Sequence, residues 1–288
     1  MTLQLPVTAR LFAATFAAAA LTLPAYESSN ASASQAGYDD ADNNIQLTGV
    51  IRDFEVDHPD FETYPGTYNK VLDELGSDGK PRLDLDYFAW SKSKGKQSVT
   101  SEATFAQWFN DVPGVNLNLP YTIVLQPHDS KENVYWFARE KQMSGDKKYF
   151  FPIDDQGFGL SYDKPGHKLR WERGGKHNFH FTFELETEFT YTDPADRDYE
   201  LEFKFTGDDD VWVFINGQLV IDLGGVHSQQ SAMVNVDDIA DELGLEHLGT
   251  YPLKVFFAER HTSESNFRIE TTLKLKEVPP TVVSPLFD

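Results

Sequence analysis

The fold of this chain is decided by the stretch His177-Asn-Phe-His-Phe-Thr-Phe-Glu-Leu-Glu-Thr-Glu-Phe-Thr-Tyr191. Apolar and polar residues alternate along most of it. This period of two is typical of a β-strand that has one face in a core and the other in water. The apolar side chains that share the core face are Phe179, Phe181, Phe183, Leu185, Phe189 and Tyr191.

Short strands of the same kind are predicted on both sides of this stretch. Residues 210–215 and 218–222 flank Asn216-Gly217, which is the two-residue signal for a tight hairpin turn. Many short strands with turn residues between them indicate an all-β sandwich or barrel rather than alternating α/β units. The remaining strand patterns cover residues 47–55, 121–126, 134–138, 201–205, 251–258 and 266–276.

Helices take a small part in this pattern. The clearest is predicted at residues 101–109, because a serine can cap its start and three aromatic residues share one face. A second, short helix is expected at 237–243. Residues 65–95 contain Gly, Pro, Asp and Lys and are interpreted as a loop, and the Pro-containing tail 277–288 is expected to be extended.

Composition excludes several classes of function. The 288 residues include 46 acidic and 25 basic side chains, a formal net charge of −21, and no cysteine. A negative surface repels nucleic acid and anionic membranes. The absence of cysteine excludes disulfides, thiol catalysis and thiolate metal sites. Any metal must therefore be held by oxygen or histidine, and the excess of carboxylates suggests a hard cation such as calcium.

The amino terminus resembles an export signal. Residues 11–25 are nearly all apolar or small, which is short of the ~20 residues that span a membrane but fits a signal-peptide core. Ala31-Ser-Ala33 offers a small-x-small cleavage pattern, so residues 1–33 are predicted to be a signal peptide and 34–45 a flexible linker. No later run is long and apolar enough to be a transmembrane anchor. We therefore expect a secreted or cell-surface protein.

An acidic loop is the first candidate binding site. Asp208, Asp209 and Asp210 are consecutive and lie between two apolar strands. Three adjacent carboxylates repel one another, and calcium would supply the missing positive charge. The alternative is an acidic β-turn without a ligand, since Gly-Asp-Asp is common turn chemistry.

Two further loops carry polar residues that can reach a ligand. The loop at 222–228 contains two glycines and His227, and the loop at 258–267 contains several polar side chains. Loops on a rigid β scaffold are frequent carriers of function. The two histidines His227 and His261 leave a zinc or iron site open as an alternative. In the second loop the candidates are Glu259, Arg260, His261, Ser265 and Asn266.

A series of motifs in chain order resembles the fibro-slime domain. The resemblance covers residues 46–276 and implies a jelly-roll-like β-sandwich of the protective-antigen N-terminal-domain type. Relatives in that superfamily include sugar-binding modules of yeast flocculins and epithelial adhesins. The motifs are Gly207-Asp-Asp-Asp-Val-Trp-Val-Phe-Ile-Asn-Gly217, Leu219-Val-Ile-Asp-Leu-Gly-Gly-Val-His227, Phe256-Phe-Ala-Glu-Arg-His261 and Ser265-Asn-Phe-Arg-Ile-Glu270.

The resemblance also implies a metal site and a ligand. Lectin relatives hold Ca²⁺ with an adjacent Asp pair, which corresponds here to Asp208 and Asp209, and a later loop adds an amide. Asn266 is the best amide candidate, with Glu259 as the alternate. The sequence departs from the flocculin pattern in that later loop. Residues expected to contact the sugar are Asp210, Trp212, His227, His261 and Ser265.

The expected function is therefore calcium-dependent binding of polysaccharide or cell-surface glycans by a secreted adhesion module. The alternative is a structural slime or matrix protein in which calcium only stabilises loops. An enzyme is not expected, because a glycosidase needs two carboxylates ~5–9 Å apart on opposite sides of the bond, which adjacent aspartates do not provide. Glu172, Glu259 and Glu264 stay open as partners for such chemistry.

Overall fold

The computed structural model describes residues 43–63, 69–138, 149–154, 156–158, 177–261 and 265–280. Within these ranges the helices are α1 (Leu85–Ser93) and α2 (Glu102–Phe105). The strands are β1 (Ile45–Phe54), β2 (Asn116–Pro127), β3 (Tyr135–Ala138), β4 (Phe181–Thr190), β5 (Glu202–Gly207), β6 (Asp210–Ile215), β7 (Gln218–Leu223), β8 (Gln230–Asn235), β9 (Thr250–Glu259), β10 (Phe267–Thr271) and β11 (Lys276–Glu277).

The strands pair in the order β7-β6-β9-β4-β1-β2-β3-β10-β5-β8, with β11 beside β4. Strand β2 is the corner of this path. It pairs with β1 along most of its length, and its last residues pair with β3, with Gln126 opposite Trp136. The strands before the corner form one layer and those after it form the other, and the end strands β7 and β8 approach each other. The predicted all-β sandwich is confirmed.

An aromatic core fills the space between the two layers. Phe150 lies at its centre, with its ring stacked on that of Phe267 at a centroid distance of 4.7 Å. Rings of Phe181 and Phe183 from β4 and of Phe257 from β9 surround it. The period-two alternation along β4 thus delivers its phenylalanines to one shared core.

A second apolar cluster covers the outer face of β6 and β9. Trp212, Phe214 and Phe256 point away from the main core and pack against side chains that precede β2 in the chain. As a result β6 is buried on both faces, which explains why its apolar run lacks alternation. The covering residues are Val71, Leu83, Val99, Phe105, Trp108 and Phe109.

The predicted loop at 65–95 was wrong for part of its length, because α1 forms there. Asp84 caps this helix, and its Oδ1 accepts hydrogen bonds from the backbone N–H groups of Asp86 and Tyr87, each at 2.9 Å. A capping aspartate satisfies amide groups that a helix start otherwise leaves without partners. The Gly, Pro, Asp and Lys residues around Asp84 favoured the loop interpretation, so the helix cap was missed.

The other two predicted helices are less regular than expected, whereas the predicted hairpin turn forms. The helix expected at 101–109 starts as predicted but is regular only through α2, where Ser101 and Thr104 form a capping box. The helix expected at 237–243 begins as a 3₁₀ turn at Asp237–Ile239. The hairpin turn is confirmed, since Asn216 and Gly217 have φ values of 50° and 80°.

Residues 1–42, which include the predicted signal peptide and most of the predicted linker, lie outside the described residues. Strand β1 begins at Ile45, the last residue of that linker, and β11 includes Glu277, the first residue of the predicted tail. Residues 281–288 of the tail also lie outside the described ranges. No helix in the described part of the chain is long and apolar enough to cross a membrane.

Candidate functional site

Two connections cross side by side from one layer of the sandwich to the other. Asp208 and Asp209 join β5 to β6, and the residues after Glu259 join β9 to β10. Because β6 pairs with β9 and β5 pairs with β10, residues about fifty positions apart in sequence meet at one edge. Topology therefore brings the acidic loop and the later polar loop together, as the resemblance implies. We call Asp208, Asp209, Glu259 and Asn266 the crossing.

The two crossing connections are held together by hydrogen bonds to the aspartates. Oδ2 of Asp208 accepts a hydrogen bond from Nδ2 of Asn266 at 2.6 Å, and its Oδ1 accepts one from the Asn266 backbone N–H. Oδ2 of Asp209 accepts one from the Arg260 backbone N–H at 2.9 Å. Asp209 has a φ of 58°, a left-handed conformation that aspartate and asparagine tolerate better than most residues.

Glu259 is the unsatisfied member of this group. Only 1% of its surface is exposed, and neither of its carboxylate oxygens meets hydrogen-bond geometry with a partner among the described residues, although the Ser265 hydroxyl and the Asp209 carboxyl lie close enough to influence its pKa. Burial, followed by the charges of Asp209 and Asp208, raises the pKa of Glu259 well above its usual value. Burial also raises the pKa of Asp209 to about 7, against the opposing effect of Arg260. Three buried carboxyl groups thus share one place without enough positive charge.

The donor set fits a hard cation. Asp208, Asp209 and Glu259 offer carboxylate oxygens, Asn266 offers an amide oxygen, and no sulfur or imidazole is needed. In the described residues, ligand atoms from three acidic or histidine side chains lie within 4.8 Å of one another only at Asp193, Asp196 and His247, which are exposed. A cation at the crossing would therefore have to draw its ligands closer together.

Asp210 differs from the expectation that it contacts a ligand. It is fully buried, and its Oδ2 accepts a hydrogen bond from Nε of Arg260 at 2.6 Å. Its Oδ1 accepts from the Gly225 backbone N–H at 2.6 Å and pairs with Nζ of Lys70. Burial opposes ionisation of Asp210, but Arg260 and Lys70 outweigh it and lower the pKa. The carboxylate is committed to two buried cations and is not available to a ligand.

Arg260 links this buried ion pair to the segment that covers β9. Its Nη1 donates to the backbone oxygen of Asp60 at 2.7 Å and to that of Ser98 at 3.2 Å. Its guanidinium lies 4.6 Å from the ring centroid of Trp108, whose indole N–H donates to Oδ2 of Asp60 at 3.0 Å. Sequence reasoning missed Lys70 and Asp60 as members of this network.

Trp212 also differs from its expected role. Its side chain is fully buried in the second apolar cluster, and its indole N–H donates to Oδ1 of Asp222 at 3.1 Å. A ring with no exposed face cannot stack on a sugar.

The other predicted contact residues lie around the crossing. Ser265 is buried, and its hydroxyl donates to the backbone oxygen of Phe150 at 2.6 Å. Nε2 of His261 lies 3.6 Å from Oε2 of Glu62. The two ring nitrogens of His227 lie 2.9 Å from backbone oxygens of its own loop. These side chains all have local structural contacts, and their role in ligand binding stays a prediction.

The alternatives from the sequence have no further support. His227 and His261 do not join a third ligand-bearing side chain at metal-binding spacing in the ranges that the structure describes. Glu172 and Glu264, the open partners for a glycosidase, lie outside those ranges.

A comparison with protein families matches part of this chain to a known domain. Residues 172–285 match the PA14 domain. That range contains all the residues of the crossing. The fibro-slime assignment and the Ca²⁺ site stay predictions.

The chain also resembles curated proteins from Dictyostelium discoideum. It is 38% identical over 238 residues to "Protein psiQ" and 38% identical over 242 residues to "Protein psiR", which cover 81% and 82% of this chain. The chain spans 22% of the length of each of these relatives, about a fifth. The similarity therefore concerns one segment of much longer proteins.

Among solved structures, the "PA14 sugar-binding domain from RTX adhesin" is similar over 79% of this chain and 91% of that chain, at 11% identity and a TM-score of 0.28. The Epithelial Adhesin 9 A domain from Candida glabrata covers 83% of this chain and 84% of its own, at 12% identity and a TM-score of 0.25. Similarity this low carries no argument about ligand or mechanism.

Proposed function

We propose that this chain is a secreted carbohydrate-binding adhesion module that depends on Ca²⁺ held at the crossing. Asp208, Asp209 and Glu259 would supply carboxylate oxygens, and Asn266 an amide oxygen. Export is supported by the apolar residues 11–25. Weak extracellular calcium sites have Kd values of ~10⁻⁴–10⁻³ M, which would suit such a protein.

One observation carries the proposal. Both oxygens of Glu259 are buried without hydrogen-bond partners in the described structure, beside two more buried carboxyl groups. A buried unpaired carboxylate is strongly destabilising unless a cation or a proton neutralises it. The nearby guanidinium of Arg260 does not serve, because it pairs with Asp210. A bound divalent cation would remove the electrostatic penalty of the whole group.

Carbohydrate binding is the step beyond the cation. Calcium in the lectin relatives takes sugar hydroxyls into its coordination shell, and the match of residues 172–285 to the PA14 domain is compatible with that mechanism. The chain's own contribution would be to fix the cation at a sheet edge. Many weak contacts of this kind add up to adhesion when several modules act together.

A structural role for the cation is the second candidate, and a specific observation favours it. Asp208 is 3% and Asp209 4% exposed, so the carboxylates offer little access to a polymer in this conformation. A cation buried to that extent would hold the β5–β6 and β9–β10 connections together. The chain would then be a matrix protein stabilised by calcium, without a glycan ligand.

Calcium titration tests the cation site, which both candidate functions require. Chelator-treated protein should release or absorb heat with Ca²⁺ in calorimetry, and at about ten times Kd the ion should stabilise the fold by about 1.4 kcal/mol. Asp209→Asn should abolish the heat, whereas Asp196→Asn, which removes an exposed carboxylate elsewhere, should not. Equal responses of both variants would refute the site.

A glycan array then separates the two candidates. The adhesion module should bind glycans in Ca²⁺ and lose them in EGTA, and Asp209→Asn should lose them in both. Calcium stabilisation without any bound glycan would instead support the structural role. Glycan binding that persists in EGTA would contradict the calcium-dependent mechanism.

A further inference from the structure

Helix α1 carries an exposed aromatic and basic surface that includes none of the residues of the crossing. Trp90 is 47% and Leu85 51% exposed, and the ring of Tyr87 lies 5.5 Å from that of Trp90. Tyr87, Trp90 and Lys94 are spaced three and four residues apart, which places them on one side of the helix and its end. We call Tyr87, Trp90, Lys92, Lys94 and Lys96 the α1 patch.

The charge of this patch opposes that of the whole protein. The formal net charge of the chain is −21, yet residues 87–101 contain three lysines and no acidic residue. Lys92, Lys94 and Lys96 are all exposed. One lysine in the last turn is accounted for by the helix dipole, but Lys94 and Lys96 lie beyond the last helical residue.

In the described part of the chain, the lysines of the α1 patch have no ion pair with a carboxylate, unlike several other lysines. Lys70, Lys80, Lys131 and Lys254 each pair with an Asp or Glu. Across the described residues no carboxylate pairs with a lysine of the patch, although acidic side chains are nearly twice as numerous as basic ones. Lys94 and Lys96 thus keep exposed ammonium groups at the end of the helix that carries Trp90. Lys92 lies on a different side of the helix, with its Nζ 6.0 Å from the ring centroid of Phe88.

We propose that the α1 patch is a second binding surface, which takes an acidic polysaccharide that bears carboxylate or sulfate groups. The indole of Trp90 offers its face to the C–H groups of a sugar ring. The ammonium groups of Lys94 and Lys96, with that of Lys92 on the neighbouring side of the helix, pair with the anionic substituents of successive sugar units. The negative charge of the remaining surface repels a polyanion and so confines the polymer to this patch.

Direct binding assays test this surface, with alginate and dextran sulfate as probes and neutral dextran as the control. EDTA is present throughout, so the result is independent of any cation at the crossing. Both anionic polymers should bind at about 0.05 M NaCl and lose at least about tenfold in affinity at about 0.5 M. Neutral dextran should not bind.

A charge-matched pair of variants assigns the binding to the patch. Replacing Lys92, Lys94 and Lys96 by Gln should lower the affinity at least about tenfold, in keeping with loss of three ion pairs. Replacing Lys131, Lys274 and Lys276 by Gln removes the same charge from other exposed positions and should change it less than about twofold. Thermal unfolding of both variants confirms that each is folded. Equal affinities of the two triple variants would overturn the proposal.

Trp90→Ala and inorganic polyphosphate test the aromatic part. The variant should weaken alginate binding several-fold, and polyphosphate, which has no sugar ring, should bind more weakly than alginate. Alginate binding that is unaffected by Trp90→Ala would refute recognition of a sugar. A concentration-dependent dimer that the Lys92, Lys94 and Lys96 variant abolishes would show that the patch binds a second copy instead.

Discussion

The backbone N–H of Arg260 donates a hydrogen bond to Oδ2 of Asp209 at 2.9 Å. The side chain of the same arginine points to the opposite side of β9, where it pairs with Asp210. One residue therefore fixes the loop that offers carboxylates to a cation and the buried ion pair behind it. A substitution that disturbs either the loop or the ion pair is therefore expected to affect the other as well.

Glu259→Gln should separate stability from calcium binding. The pKa of Glu259 is raised by burial, so at neutral pH folding of the wild type costs free energy, either for taking up a proton or for burying the charge. The amide needs no proton, so the metal-free variant should be more stable at neutral pH, by about 1–4 kcal/mol. The same change removes a cation ligand, so added Ca²⁺ should no longer raise the melting temperature. Chemical denaturation in EGTA and in Ca²⁺ measures both effects.

The control for this variant is Glu242→Gln, which changes an exposed carboxylate near the 3₁₀ turn. It should leave both stability and the calcium response unchanged. If Glu259→Gln lowers metal-free stability and keeps the calcium response, Glu259 is not a ligand.

Arg260→Lys should destabilise the fold although it keeps the positive charge. Lysine cannot reproduce the guanidinium fork that contacts Asp210, the Asp60 backbone oxygen and the Ser98 backbone oxygen together. A loss of about 2–4 kcal/mol in the free energy of unfolding is expected, close to the cost of breaking a buried ion pair. Urea denaturation measures it.

Arg82→Lys is the matched control, since Arg82 is exposed and, among the described residues, its guanidinium donates only to the backbone oxygen of Glu74, at 3.4 Å and 3.5 Å. Its effect should stay within about 0.5 kcal/mol. Equal effects of the two substitutions would mean that the buried network contributes nothing specific.

Asp53 should make stability depend on pH. Burial raises its pKa from 3.8 to about 7, against hydrogen bonds from Nδ2 of Asn178 at 2.8 Å and the backbone N–H of Phe158 at 2.5 Å. Between pH 4 and 7 the folded chain then binds more protons than the unfolded chain. Stability contributed by Asp53 is full below this window and falls as the pH rises through it, at about 1.4 kcal/mol per pKa unit.

The measurement is the free energy of unfolding at several pH values for the wild type and Asp53→Asn. The variant cannot titrate there, so the stability of the wild type relative to the variant should fall as the pH rises from 4 to 7. Parallel curves would contradict the shifted pKa. Subtracting the curves removes the contribution of Asp209, whose pKa is raised in both proteins.

Trp212→Phe should reduce stability without reducing glycan affinity. The variant leaves Oδ1 of Asp222 without the indole donor and opens space in the second apolar cluster, a cost of about 1–3 kcal/mol. A fully buried ring makes no contact with a sugar, so the affinity for any glycan found on the array should change less than about twofold. A large loss of affinity in a folded variant would restore the stacking role that the sequence suggested.

Sequence patterns correctly predicted the elements that have a local signal, such as a strand with one apolar and one polar face. The alternation along β4 and the Asn216-Gly217 turn each have a local cause, and both are confirmed. The meeting of Asp208 with Asn266 was expected because the resemblance implies one calcium site that combines an Asp pair with an amide from a later loop. Nothing within either loop alone contains that information.

The buried network escaped prediction for a physical reason. Arg260 follows a strand in which Phe256 and Ala258 are apolar on one face and Val255 and Phe257 on the other, so both faces are covered. A charged residue that continues such a strand must be buried and paired. Its partners come from segments more than forty residues away, and no local pattern identifies them.

The position of the crossing also has a consequence for how the fold forms and opens. Asp208 and Asp209 meet Glu259 and Asn266 only where β6 pairs with β9 and β5 with β10, so the complete set of ligands requires both long-range pairings. If these pairings form after the folding transition state, a cation bound there would slow unfolding without accelerating folding. In surroundings where proteases and shear act on every transient opening, a cation that joins the two connections would control the lifetime of the folded state rather than its equilibrium population.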